Sequence, residues 1–142
     1  MIQKTFVIKS ESKYLKPVRD KLTLLLKKAK LSPKTKSAFL LAASEACTNS
    51  MRHAYQGKKS GKIRITFLHE KKKTVLKIRD YGWKIDFSKV KTPKLPPDKP
   101  HGLGIYLMKT MMDKVQYNAN HRSGNEVILI KYQEGDAHED SK

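Results

Sequence analysis

The sequence predicts an α/β protein built as a two-layer sandwich, with helices packed on one face of a mostly antiparallel sheet. Two long segments in the first half carry apolar residues at helical spacing, residues 62–80 alternate apolar and polar residues around a run of lysines, and two shorter segments of strand character close the chain. A length of 142 residues suffices for one domain with a sizeable core. We assign that domain to residues 1–133 and expect residues 134–142 to form a flexible acidic tail.

The first half is predicted to contain one strand, at residues 3–9, followed by a helix over about residues 12–29. The apolar side of this helix is formed by Leu15, Val18, Leu22, Leu25 and Leu26. Ser32 and Pro33 predict the start of a second helix, because proline is well tolerated at the first helical position. We expect this helix to continue to about residue 55.

Residues 62–69 and 74–80 are predicted to pair as a hairpin. The first strand would place Ile63, Ile65 and Phe67 on one face, and the second would place Leu76 and Ile78 on one. The strict alternation continues to Asp80, which therefore ends an inward-facing row.

Residues 86–101 hold four of the six prolines and are predicted to be a loop, since proline cannot sit inside a regular helix or a central strand. Residues 102–114 then read as a helix, and residues 115–120 and 126–132 as two final strands around a turn at 123–125. The apolar stripe of this last helix consists of Ile105, Met108, Met112 and Val115.

The composition limits the function classes. Lys and Arg outnumber Asp and Glu by 31 to 13, but the lysines are scattered and no helix-turn-helix or zinc finger organises them. This distribution favours a solvated basic surface over direct nucleic-acid binding, which stays an alternative, and an acidic protein partner is compatible with the charge. The single cysteine, Cys47, excludes an internal disulfide, and the absence of a membrane span or signal peptide predicts a cytoplasmic protein.

Glu45 is the only charged residue between residues 38 and 51. On a helix Glu45, Asn49, Arg52 and Gln56 would form one polar stripe, because they are spaced by four, three and four residues. A carboxylate among small apolar neighbours needs a compensating group, such as a metal-bound phosphate or a substrate hydroxyl. The alternative is a stripe that faces water.

Asp80 and Gly82 follow the hairpin as Asp-x-Gly. A carboxylate at the end of an inward row can accept a hydrogen bond from a ligand's amino group, and glycine permits a close backbone approach. The commoner meaning of the pattern is a turn.

Downstream, His101, Gly102, Leu103 and Gly104 open a helix, and glycines there leave N–H groups free for a phosphate. Gly-x-Gly alone is a weak signal.

These three pieces, in this order, resemble the signature boxes of the Bergerat-fold ATPases, the superfamily of gyrase and histidine kinases. Within it the sequence is most similar to the small serine-kinase anti-sigma factors. SEACTNSMRHAY resembles their first box, IRDYGWKID the second and HGLGIYLMKTMMDKVQY the third.

The resemblance implies a role for each matching residue. Glu45 would act as the general base toward a substrate serine, and Asn49 would ligate Mg²⁺. Asp80 would bind the adenine amino group, Gly82 would let the nucleotide approach, and residues 101–104 would hold phosphates beneath a lid at about 86–101. The cofactor-binding set also includes Arg52, His53 and Lys84.

The resemblance further implies an ATP- and Mg²⁺-dependent protein serine kinase that binds a sigma factor, phosphorylates a STAS-type antagonist and forms a homodimer. Two departures stand against it. Lys84 occupies a position where many relatives have glycine, and Gly124-Asn125 lacks the Thr that commonly follows the glycine. A nucleotide-binding scaffold that acts only by protein contact therefore remains an alternative.

Overall fold

The computed structural model describes residues 1–86, 108–118 and 120–133. The strands are β1 (Ile2–Lys9), β2 (Lys62–His69), β3 (Lys73–Asp80), β4 (Lys114–Tyr117) and β5 (Asn125–Tyr132). The helical elements are a 3₁₀ turn (Ser12–Tyr14), α1 (Leu15–Lys28), α2 (Pro33–Asn49) and a π-helical turn (Ser50–Ala54), and residues 108–111 are also helical. The described helices are all too short or too polar to cross a bilayer.

The five described strands form one sheet in the order β1-β2-β3-β5-β4, and every neighbouring pair is antiparallel. The inward rows of β2 and β3 pack against α1 and α2, whose own buried residues include Val18, Leu22 and Phe39. Lys77 and Arg64 lie in the alternate rows and are exposed. The two-layer α/β prediction is therefore confirmed, as are the β2–β3 hairpin and the apolar side of α1.

Helix α2 begins as its sequence predicts. Ser32 is the N-cap, its hydroxyl oxygen accepts a hydrogen bond of 3.2 Å from Thr35 N, and Pro33 occupies the first turn. The helix ends in the π-helical turn, where Tyr55 N donates to Ser50 O at 2.9 Å. Gln56 then adopts a φ of 52°, which ends the helical run.

The last helix ends earlier than the sequence predicts. The sequence predicts a helix to residue 114, but the helix ends at residue 111. The reason is sheet pairing: Asp113 N donates to Ile130 O at 3.0 Å, and Lys114 already pairs with Ile130 in β4. The start of that helix, most of the predicted loop at 86–101 and the tail at 134–142 lie outside the described residues.

Candidate functional site

The Asp80 carboxylate is the most buried charged group of the described chain, with 1% of the residue exposed. It lies at the end of β3, directly opposite Asn125 at the start of β5. Its Oδ1 accepts hydrogen bonds from Gly82 N at 3.2 Å, Asn125 N at 3.1 Å and Asn125 Nδ2 at 2.9 Å. Its Oδ2 accepts one bond of 2.8 Å from Ser50 Oγ. These four bonds stabilise a carboxylate where burial alone would be costly.

The two oxygens of Asp80 differ in what they can still accept. A carboxylate oxygen has about two lone-pair directions, and Oδ1 already receives three donors from described residues. Among the residues that the structure describes, Oδ2 receives only the Ser50 hydroxyl, which leaves one acceptor direction. The arrangement can therefore accept a hydrogen bond from an amino group that enters beside Ser50.

Ser50 lies where α2 passes into the π-helical turn, and it keeps the α-helical bond from its N–H to Ala46 O. Five residues instead of four separate the bonded groups in this turn, which rotates the residues that follow relative to a regular helix. Ser50 is buried at 4% exposure, and its hydroxyl is directed at the sheet instead of solvent. The first residue of the turn is thus part of the site.

Asn125 is a second contributor, and its side-chain amide uses both N–H donors and its oxygen. Its Nδ2 donates to Asp80 Oδ1 and to Trp83 O, both at 2.9 Å, while its Oδ1 accepts from Ile85 N at 2.7 Å. The amide thus fixes Asp80 and joins it to the segment that follows β3. Asn125 occupies the position where the resemblance led us to expect Thr, and it supplies two donors where a hydroxyl would supply one.

Gly82 and Gly124 allow backbone segments to pack closely around Asp80. A Cβ on Gly82 would lie 2.4 Å from the carbonyl oxygen of Ala54, and Trp83 N donates to that same oxygen at 2.8 Å. Gly124 has a φ of 73°, and a Cβ there would lie 2.0 Å from Asp80 O. Gly82 therefore lets the turn after β3 approach the end of α2, whereas its approach to a nucleotide remains a prediction.

Tyr55 joins three elements next to this turn. Its hydroxyl accepts a hydrogen bond of 2.7 Å from Tyr81 N and donates to Lys62 O at the start of β2. Burial raises the pKa of the Tyr55 hydroxyl, so it remains a neutral donor at physiological pH. The tyrosine fixes where β3 ends relative to α2.

Glu45 and Asn49 lie one helical turn apart on α2, and both are only partly buried. Neither side chain has a hydrogen-bond or ion-pair partner within residues 1–86, 108–118 and 120–133. Their neighbours Ala46 and Cys47 are buried, as the small-residue pattern predicts. An acidic and an amide side chain are thus presented together at one face of the helix.

Cys47 cannot serve as a nucleophile in this site. It is completely buried, and burial raises the pKa of its thiol to about 12. Nucleophilic cysteines are thiolates with partial exposure.

The predicted polar stripe of α2 does not continue past Asn49. Arg52 and Gln56 were placed on it by α-helical spacing, but Arg52 lies in the π-helical turn and Gln56 beyond it, so that spacing no longer applies. Arg52 and His53 are both exposed at the end of the helix. Their proposed contact with phosphates stays a prediction.

The remaining predicted residues fall into two groups. The Lys84 ammonium is exposed and donates to His121 O, which ties the turn after β3 to the β4–β5 connection. The segment His101, Gly102, Leu103 and Gly104 lies outside the described residues. Within the described part of the chain, no group of three or more His, Cys, Asp or Glu residues could hold a metal ion.

Sequence reasoning did not assign Ser50 or Asn125 to the site. Asn125 could not be assigned from a local pattern, because its place opposite Asp80 depends on the pairing and register of β3 and β5. Ser50 had no signal either, because its contact with Asp80 depends on how the end of α2 packs against the end of β3.

A family model described as a histidine kinase-like ATPase domain matches residues 8–131. Similar curated proteins include serine-protein kinase RsbW of Bacillus pumilus (strain SAFR-032), 36% identical over 102 residues, and serine-protein kinase RsbW of Bacillus subtilis (strain 168), 36% identical over 104 residues. These alignments cover 65% and 68% of this chain and 62% and 64% of the two relatives. The chain thus spans just under two thirds of their length.

Two solved structures have a similar fold. The crystal structure of the RsbU and RsbW domains of Rv1364c from Mycobacterium tuberculosis matches with a TM-score of 0.67 at 13% identity, over 92% of this chain and 32% of that one. The histidine kinase domain of the Erythrobacter litoralis EL346 blue-light activated histidine kinase matches with a TM-score of 0.54 at 14% identity, over 84% and 59%. At these identities the likeness concerns the fold alone.

Proposed function

Because the chain belongs to the histidine kinase-like ATPase domain family, as the resemblance of its three boxes predicts, we propose that it binds ATP with Mg²⁺ in the site around Asp80. The observation that carries this proposal is the buried carboxylate, whose Oδ2 has one acceptor direction that no described residue uses. Adenine offers an exocyclic amino group that can donate there. Ser50 and Asn125 hold the carboxylate in place by their hydrogen bonds.

We propose that Asn49 supplies the side-chain oxygen for Mg²⁺. Magnesium prefers oxygen ligands and is usually held by one or two protein groups together with substrate phosphates. When bound, Mg-ATP supplies a transferable phosphoryl group whose charge the metal neutralises. Asn49 fits this role because its amide is partly exposed and has no partner among the described residues.

We propose that Glu45 is the general base of a serine kinase. Its carboxylate lies one helical turn before Asn49, so a serine hydroxyl that approaches the metal-bound phosphate would lie near it. Glu45 would take the hydroxyl proton as the serine oxygen forms its bond to phosphorus and ADP departs. Arg52, His53, Lys84 and residues 101–104 are proposed to contact the nucleotide.

The biological role we propose is that of a cytoplasmic anti-sigma factor. The similar proteins of Bacillus are named serine-protein kinases, and the resemblance implies partner switching between a sigma factor and a STAS-type antagonist, which the kinase phosphorylates. A homodimer is part of the same proposal. The net charge of +18 is compatible with acidic partners.

A second candidate is a nucleotide-binding scaffold that regulates its partner by contact alone. Lys84 favours it, because its ammonium is held by His121 O in the turn where many relatives have a glycine. The two candidates differ in whether phosphate reaches the partner.

The test measures transfer of labelled phosphate from Mg-ATP to a STAS-type antagonist by wild type and by Glu45→Gln. We expect Glu45→Gln to lower the rate by about 10²- to 10⁴-fold while ATP affinity stays within about threefold, since a general base contributes that much. Glu70→Gln, in the β2–β3 turn at the opposite end of β3 from Asp80, is the matched control. Equal rates for the wild type and Glu45→Gln would remove Glu45 from catalysis, and ATP binding without transfer by the wild type would favour the scaffold.

A further inference from the structure

A cavity of about 480 Å³ lies beside the turn that follows β3, and we name it the turn cavity. Three segments distant in sequence form it: the end of the helical run, the turn after β3 and the β4–β5 connection. Its lining residues are Ala54, Tyr55, Lys58, Tyr81, Gly82, Trp83, Lys84, Arg122 and Ser123. Glu45, Asn49 and Asp80 are not among them, whereas Gly82 and Lys84, which the proposed function assigns to the nucleotide, are shared with this cavity.

The turn cavity combines exposed aromatic rings with positive charge. Trp83, the only tryptophan of the chain, is 68% exposed, and Tyr81 is 38% exposed. Lys58, Lys84 and Arg122 contribute three cations, and none of the described lining residues is acidic. The side chains of Lys58 and Arg122 have no hydrogen-bond or ion-pair partner in the described parts of the chain. Their charge is therefore available to an external group.

An exposed tryptophan surrounded by positively charged side chains is typical of a protein interface. Tryptophan, tyrosine and arginine are enriched among the residues that dominate binding energy, and charged rims select partners of opposite sign. A cavity of this size accepts one large side chain of a partner. The complementary segment is thus acidic with an apolar or aromatic residue within it.

The same residues fit nucleic acid less well. Single strands are bound along grooves in which cations follow the backbone and successive bases stack on aromatic rings. The cations here surround one cavity. The nearby Arg79 guanidinium is already engaged, because it stacks on the Tyr81 ring at 4.3 Å and donates to Asp80 O.

We infer that the turn cavity is the docking site for an acidic segment of a protein partner. One apolar or aromatic side chain of that segment packs against Trp83, and its carboxylates face Lys58 and Arg122. This inference goes beyond the proposed kinase function, because docking needs neither ATP nor phosphoryl transfer.

The test is a fluorescence titration of Trp83, the only tryptophan, with the capped peptide Asp-Glu-Phe-Glu-Asp. We expect a saturable blue shift of the emission, at least fivefold weaker binding for Lys58→Glu or Arg122→Glu, and at least fivefold weaker binding when alanine replaces phenylalanine in the peptide. Lys34→Glu has the same change in charge at the opposite end of α2, about 25 Å away, and should bind like the wild type.

The inference is overturned if the shift does not saturate, if Lys34→Glu and Arg122→Glu weaken binding equally, or if a ten-nucleotide single strand binds at the cavity and the peptide does not. Arg122→Gln, which only removes the charge, repeats the test should a reversal variant fail to fold. ATP titration of the same variants separates the two proposals. Peptide binding by a wild type that does not bind ATP would keep the docking site and remove the kinase function.

Discussion

The side-chain amide of Asn125 donates one N–H to Asp80 Oδ1 and the other to Trp83 O, both at 2.9 Å. The Asp80 carboxylate is therefore positioned by a residue of the neighbouring strand as well as by its own turn. Because the same amide accepts from Ile85 N at 2.7 Å, Asn125 also orders the segment that leads away from β3. This relationship makes Asn125 a positioning residue for whatever Asp80 binds.

Asn125→Ala should lower ATP affinity about tenfold, since it removes a hydrogen bond to a buried charged group and leaves Trp83 O and Ile85 N without their partner. Asn125→Asp should lower it further, because a second carboxylate would face Asp80 Oδ1. Isothermal titration with Mg-ATP measures both. Asn120→Ala, an exposed asparagine of the β4–β5 connection, is the control. Unchanged affinity in both Asn125 variants would show that Asp80 does not depend on this amide.

Gly82→Ala should destabilise the fold by several kcal/mol, because its Cβ would lie 2.4 Å from Ala54 O, a backbone atom that cannot move aside cheaply. Gly57→Ala is the comparison. Its Cβ meets nothing within 4 Å, so only the φ of 83° is unfavourable and we expect a loss of about 1 kcal/mol. Urea unfolding measures both variants. A Gly82→Ala protein as stable as Gly57→Ala would mean that the turn can move away from α2.

Because the Cys47 thiol is buried, we expect the free energy of unfolding to fall at alkaline pH. Burial raises the pKa of its thiol from 9.0 to about 12 in the folded chain. The resulting stabilisation is therefore complete below pH 9 and is lost as the pH rises toward 12. At pH 10 the loss from this group is about 1.4 kcal/mol, since the unfolded thiol is then mostly ionised.

The measurement compares the free energy of unfolding at pH 8 and pH 10 for wild type and Cys47→Ala. Between pH 8 and pH 10 the free energy of unfolding of Cys47→Ala should fall by about 1.4 kcal/mol less than that of the wild type, whatever the stability of the variant at pH 8. Tyr55 and Tyr117 also have pKa values raised by burial, and they act equally in both proteins. Identical pH dependence in the two proteins would contradict the burial of the thiol.

The sequence predicted the strands and helices where side-chain periodicity is strong. The bounds of β2 were predicted as residues 62–69 and found there, because its apolar row alternates without interruption. Asp80 was placed at the inward end of β3 by the same alternation, and its 1% exposure confirms this. The capped start of α2 was equally predictable, since Ser32 and Pro33 act locally.

The parts that sequence missed depend on contacts between distant residues. The strand order, with β5 between β3 and β4, decides that Asn125 meets Asp80, and no local pattern encodes it. The packing of the end of α2 against the end of β3 brings Ser50 to Asp80, and the π-helical turn ends the polar stripe at Asn49. Pairing with Ile130 ends the last helix at residue 111. In each case tertiary contacts outweigh local helical preference.

The most direct test of the central claim compares ATP and GTP binding by wild type and Asp80→Asn in the presence of Mg²⁺. In Asp80→Asn the amide oxygen can keep the three donors at the Oδ1 position, and the amide nitrogen can donate to Ser50 Oγ, so the fold should be preserved. The nitrogen replaces the oxygen that would accept from the adenine amino group, and it would instead suit the carbonyl oxygen of guanine. We predict that the wild type prefers ATP over GTP by at least about 100-fold, and that Asp80→Asn loses most of that preference. A folded Asp80→Asn protein that binds ATP and GTP as the wild type does would contradict the account.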